Sequence, residues 1–153
     1  MKFTPKKLNT FLMVKLPSAW ICGVRVVSIT ENSCTTTAKL SWINKNPFRS
    51  MFWAVQGMTA ELATGVLVMK AINDSNQKIA MLVASNKATF SKKAVGRITF
   101  ITTDGAKIAK AIADTVSTGE GQTFWMEAVG KDEVGDEVSV FQFEWTIKLK
   151  SKK

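Results

Sequence analysis

Nineteen consecutive residues, Met51-Phe52-Trp53-Ala54-Val55-Gln56-Gly57-Met58-Thr59-Ala60-Glu61-Leu62-Ala63-Thr64-Gly65-Val66-Leu67-Val68-Met69, hold one ionisable side chain, Glu61. A helix that is apolar almost all round must be buried on most sides, in a membrane or in a fold. Spanning a bilayer would place Glu61 near its centre, at roughly 2.5–3.5 kcal/mol on an insertion scale. Gln56, Thr59 and Thr64 raise that cost, and alternating strand patterns flank the run on both sides. The segment is therefore predicted as the central helix of a globular domain. Glu61 then needs a partner, a proton or a chemical task.

The rest of the chain supplies what surrounds that helix. Residues 5–16 put Leu8, Phe11, Leu12 and Lys15 on one stripe, a short amphipathic helix opened by Pro5 and stopped before Pro17. Residues 24–30 and 35–43 read as strands about the turn Glu31-Asn32-Ser33. In the second, Ala38, Leu40 and Trp42 alternate with Thr37, Lys39 and Ser41. The loop 44–50 follows, with Ser50 as N-cap of the apolar helix, and Asn73-Asp74-Ser75-Asn76 ends that helix. Further strands are predicted over 78–90, 96–103 and 122–129, and a helix over 105–116 with Ile108, Ala109, Ile112 and Val116 on one stripe. In the last strand Phe141, Phe143, Trp145, Ile147 and Leu149 point one way, and a basic tail takes in 148–153. The sum is an α+β domain over 1–153. About six antiparallel strands wrap around a central helix at about 51–72, with a short N-terminal helix and an extra helix near 105–117.

Several functions are excluded by what the chain lacks. Its 153 residues include no histidine, which removes the Ser–His–Asp and Cys–His arrangements and the commonest zinc ligand. No metal site is expected. Cys22 and Cys34 are too far apart for a CxxC motif and suit a reducing, cytoplasmic compartment as inert core thiols. The first residues lack a long apolar core and a small-residue cleavage site, so they read as mature protein. Part of the +9 charge sits in lysines at the two ends, and neither an RNP-like aromatic strand nor a recognition-helix pattern accompanies it. Nucleic acid and membrane are not expected partners.

The order of strand pair, Asn46-Pro47-Phe48 loop, buried helix with one acid, then antiparallel strands resembles the hotdog-fold acyl-thioesterase superfamily, over roughly residues 18–148. Thioesterases of that type often read Q/N-P-F-x-x-x-H-G-G, with an acid nine residues after the histidine. Here Asn46-Pro47-Phe48-Arg49-Ser50-Met51-Phe52-Trp53-Ala54 stands in that place, and Glu61 lies nine residues after Phe52. Phe90-Ser91-Lys92-Lys93-Ala94-Val95-Gly96 resembles the strand end that approaches coenzyme A in such proteins. The likeness is nearest to a bacterial branch that lacks the usual His-Gly-Gly.

The resemblance implies acyl-CoA hydrolysis, with Glu61 as base or nucleophile and Asn46 orienting the carbonyl or the water. It implies oxyanion donors at the Trp53 and Ala54 amides. Substrate contacts would come from Phe48, Arg49, Gly57, Met58, Ser91, Lys92, Lys93 and Arg97, and no cofactor is implied beyond the coenzyme A of the substrate. It also implies a homodimer, with pairing into a tetramer as a further option. Phe52-Trp53-Ala54 in place of His-Gly-Gly admits an alternative, a non-catalytic acyl-CoA binder. Read as residues alone, Asn46 before proline is more often just a turn residue, and Lys92 and Lys93 at a strand end are more often a solvated edge. Gly57 and Gly65 clear space either for a ligand or for close packing.

Overall fold

The computed structural model describes residues 2–151, so Lys152 and Lys153 of the expected basic tail lie outside the described residues. The chain opens with α1 (Pro5–Lys15), capped by the Thr4 hydroxyl, with Leu8 and Leu12 buried and Lys15 in solvent. Pro17 does not end helical structure. It starts a second short helix, α2 (Pro17–Ile21), because proline is pre-set for a first turn, whose amides need no intrahelical partner.

β1 (Arg25–Ile29) and β2 (Cys34–Lys39) pair as a hairpin. The second strand stops at Lys39, short of the predicted Ile43, and the buried Asn44 side chain is the reason. It accepts from the Ser41 amide at 2.8 Å and donates to the Lys39 and Cys22 carbonyls, each at 2.9 Å. That turn lifts residues 41–44 off the sheet and leaves Trp42 81% exposed, not in a core.

The central helix, α3 (Trp53–Asp74), begins two residues after the predicted start. Beyond it come β3 (Ile79–Phe90), β4 (Arg97–Thr102), α4 (Gly105–Thr118), β5 (Gln122–Lys131) and β6 (Glu137–Leu149). The buried stripe of α4 runs through Ile108, Ala111, Ile112 and Thr115. Ala109 and Val116, expected inside, face outward. Residues 148 and 149 belong to β6 and not to a tail.

All six strands form one antiparallel sheet in the order β1-β2-β4-β5-β6-β3. The alternation of β6 puts Phe141, Phe143, Trp145 and Ile147 into the core shared with Leu62, Val66 and Leu67 of α3. Three buried hydrogen bonds tie sheet to helix. The Thr36 hydroxyl donates to the Thr59 carbonyl (2.6 Å), the Ser139 hydroxyl to Gln56 Oε1 (2.7 Å) and the Trp145 indole to the Thr64 hydroxyl (3.1 Å). Gln56 and Thr64 of the apolar run are thereby partnered inside the fold, and the Thr59 hydroxyl donates to the Val55 carbonyl (2.7 Å), which is what their burial demands. Among the described residues no helix is long and apolar enough to cross a membrane. Cys34 is buried, and that burial pushes its thiol up to about 12; neither cysteine is bonded.

Candidate active site at the start of the central helix

The entrance to α3 is set by a hydrogen-bonded loop. Asn46 Oδ1 accepts from the amides of Phe48 (2.9 Å) and Ser50 (3.2 Å), and its Nδ2 donates to the Ser50 hydroxyl (3.0 Å). An Asn amide used this way makes an Asx turn. The Asn46 amide expected to orient a carbonyl already has these partners within its own loop. Ser50 is likewise engaged there and is not the N-cap; that position falls to Phe52, which offers no side-chain cap. The Met51 amide donates to the Ala94 carbonyl (2.8 Å) and the Phe52 amide to the Asn44 carbonyl (2.9 Å). No hydrogen bond takes up the next two amides, those of Trp53 and Ala54, among the described residues. Two free donors at the positive end of a 22-residue helix favour a developing negative charge on an oxygen.

Glu61 lies two turns further along. Its carboxylate has no hydrogen bond or ion pair among the described residues, and burial pushes its carboxyl above the ordinary carboxylate range. Gly65 explains how it fits. A β-carbon there would stand 3.1 Å from Glu61 Oε1 and 3.2 Å from the Trp145 ring, so the missing side chain lets acid and indole share one place. At Gly57 a β-carbon would meet the Phe141 ring at 3.3 Å. Both glycines thus seat aromatic rings of β6, and Gly57 also faces open space beside Glu61.

That space is a cavity of about 270 Å³ lined by Trp53, Ala54, Gly57, Met58, Glu61, Asn86, Phe141 and Phe143. A larger cleft of about 560 Å³ lies on the other side of Trp53. Asn46, Phe48, Gln56, Phe90, Ser91, Lys92 and Lys93 are among its lining. The expected site residues therefore fall into two groups that adjoin at Trp53. Arg49, at the exposed tip of its loop with φ 61°, and Arg97, exposed on β4, line neither space. Lys92 is ion-paired with Asp132 (2.6 Å) and Asp136 (2.8 Å), and its hydrogen bond to Asp132 chiefly holds its pKa up. Lys93 has no such partner among the described residues and still faces the cleft. Among the described residues no group of three or more potential metal-ligating side chains gathers.

Several lining residues are not among the expected ones, including Gln56, Asn86, Phe90, Phe141 and Phe143, and Gln56 is the one the sequence marks most plainly. Gln56 is buried at the cleft, with Oε1 on Ser139 and Nε2 donating to the Met51 carbonyl at 3.3 Å. The signal was present: it is the other strongly polar side chain of the apolar run, and the logic that singles out Glu61 applies to it.

An antiparallel six-stranded sheet closed around one long helix defines a hotdog fold. The chain belongs to the family described as a domain of unknown function (DUF4442), whose model matches residues 4–147. No curated protein matches it. Its fold is similar to that of a Pseudomonas aeruginosa protein of unknown function, named a probable thioesterase, at TM-score 0.82 and 18% identity, covering 96% of this chain and 97% of that one. A Chlorobaculum tepidum protein of unknown function gives TM-score 0.81 at 19% identity, covering 95% and 94%. A Haemophilus influenzae thioesterase gives TM-score 0.70 at 11% identity, covering 97% and 93%.

Proposed function

We propose that this protein hydrolyses an acyl thioester, with an acyl-CoA as substrate and no separate cofactor. The observation that carries the proposal is the unpaired Glu61 carboxylate in a cavity that also reaches Ala54, one of the two free amides of the α3 N-terminus. Glu61 stands seven positions after Ala54 along the helix, a rise of about 10 Å. Helical side chains lean toward the N-terminus, so the carboxylate covers part of that distance. The remaining gap suits a thioester carbonyl on the amides and a water on the acid.

Glu61 takes a proton from water as the water oxygen bonds to the acyl carbon. The carbonyl oxygen gathers charge against the Trp53 and Ala54 amides. The carbon–sulfur bond then breaks and the proton passes to the departing thiolate. A two-step route with Glu61 as nucleophile uses the same groups. The coenzyme A portion would lie in the open cleft, where Lys93 faces a phosphate, and the acyl group in the Glu61 cavity. Asn46 contributes by fixing the loop that presents the amides. A homodimer, or a pair of dimers, would form through β3, whose Asn86 borders the Glu61 cavity.

The test is a panel of acyl-CoA substrates followed by release of free thiol. Glu61→Gln is expected to lose roughly 10²–10⁴-fold in kcat, the usual contribution of a positioned base. Turnover that survives Glu61→Gln overturns the mechanism. The absence of histidine favours one second reading, a non-catalytic acyl-CoA binder. Saturable binding without turnover would select it.

A further inference from the structure

We infer that Trp53 is a specificity residue: its indole narrows the passage between the open cleft and the Glu61 cavity and excludes acyl groups that are bulky next to the thioester. This rests on the acyl-thioester reading above. Trp53 is the one residue common to the linings of the two spaces. A second leaf joins the two linings: Phe90, on the cleft, meets Phe141, on the cavity, edge to face, with centroids 5.6 Å apart.

The two leaves differ in freedom. Phe141 is buried, packs on Phe100 (5.8 Å) and Phe143 (6.1 Å), and is held against Gly57. It cannot yield without disturbing the core. Trp53 is 58% exposed, stands at the first position of α3, and its ring contact is with Phe52 at 5.8 Å. Its amide is one of the two free donors, so a thioester carbonyl held there would bring the reacting carbon to the residue that bears the indole. A substrate with coenzyme A in the cleft and its acyl group in the cavity has its thioester beneath that indole. An unbranched acyl group threads such a slot, and one branched or aromatic at the carbon beside the thioester meets the ring. The acyl end enters about 270 Å³, so compact acyl groups suit it.

The experiment uses non-hydrolysable S-alkyl-CoA thioethers, with affinities by calorimetry on the intact protein. S-butyl-CoA is the straight probe and S-(sec-butyl)-CoA and S-benzyl-CoA the bulky ones. The wild type is expected to prefer the straight probe by tenfold or more. Trp53→Ala is expected to shrink that preference at least tenfold by gaining affinity for the bulky probes. Trp53→Phe should fall between, and Trp42→Ala, at an exposed tryptophan that lines neither space, should keep the wild-type ratio. An unchanged ratio in Trp53→Ala overturns the inference. So does an equal loss for all probes, which would make Trp53 a packing surface only. Binding with these ratios but no hydrolysis of acyl-CoA would leave the specificity role standing and remove the hydrolase. Failure of every thioether to bind the wild type would remove both.

Discussion

Glu61 couples stability and chemistry through one proton. Burial raises its carboxyl above the ordinary carboxylate range, so the folded chain holds the proton more tightly than the unfolded chain does. The associated stability is full below the unfolded value and is lost as pH rises through the raised folded value. Above the unfolded value the buried carboxyl is a net cost to folding, whether it is held as a charge or by taking up a proton. Glu61→Gln is therefore expected to melt at a higher temperature than wild type near pH 7, with the advantage gone below about pH 4, where both states are protonated. Thermal melts across pH check this, and an advantage that grows on acidification would refute it. A base must be ionised to act, so hydrolysis should rise with pH through the same midpoint. Gly65 beside it makes a second test. Alanine gains about 1 kcal/mol of helix propensity there, against overpacking of typically 1–3 kcal/mol. The Trp145 ring that its β-carbon meets is buried and tied to Thr64, so it cannot give way. Gly65→Ala is expected to lower stability in urea, and by more than Gly57→Ala, whose β-carbon meets only the Phe141 ring. Glu61 was legible because an acid is conspicuous in an apolar run. Gln56 is marked by the same logic, though more faintly because it carries no charge; the two-space arrangement about Trp53 is not legible, since lining depends on which residues of distant strands arrive together.

The segments whose periodicity repeats over many residues, α3 and β6, follow the sequence pattern closely. Where the pattern fails, a side chain has overruled it. Ala38, Leu40 and Trp42 alternate as a strand should, yet Asn44 captures the Ser41 amide and the Lys39 carbonyl and ends β2 early. Ser50 has the right chemistry for an N-cap, but Asn46 engages it first and the helix starts at Trp53 with its amides open. Local hydrogen bonds of this kind compete with strand and helix, and spacing alone does not reveal which side wins. Asn44 is the residue on which the site's geometry most depends. Its amide satisfies two carbonyls and an amide, and its own carbonyl receives the Phe52 amide just before the free donors. Asn44→Ala leaves those groups without their partner at about 1–3 kcal/mol for each buried orphan. We expect a loss of at least about 2 kcal/mol in chemical unfolding. A loss indistinguishable from zero would show that the loop is held by its backbone contacts instead.

The sheet has two edges, and the fold treats them differently. β1 is five residues long, and Asn9 of α1 covers it, accepting from the Val26 amide (2.8 Å) and donating to the Val26 carbonyl (2.9 Å). β3 is 12 residues long, pairs with β6 on one side, and carries exposed side chains over most of its length, including Leu82 at 65% exposure. Its interruption is a register shift between Val83 and Ser85, and Lys87 is the one charge within it. A long edge with unspent backbone donors and acceptors, few charges and no covering element is what natural folds avoid unless something pairs with it. A second copy fits that need. Antiparallel pairing of β3 on β3 about a two-fold axis is self-complementary and closes after two subunits. It would also bring the partner's sheet to Asn86, at the border of the Glu61 cavity. Leu82→Lys with Ala84→Lys would set like charges along both copies of the edge. Light scattering is expected to give a dimer mass, or a multiple of it, for the wild type, and a population shifted toward monomer for the double variant, with the helix signal in circular dichroism unchanged. Monomer alone for the wild type at micromolar concentration would leave β3 an open edge. Activity would then have to be carried by the cleft and cavity of a single chain, and the double variant should hydrolyse as fast as the parent.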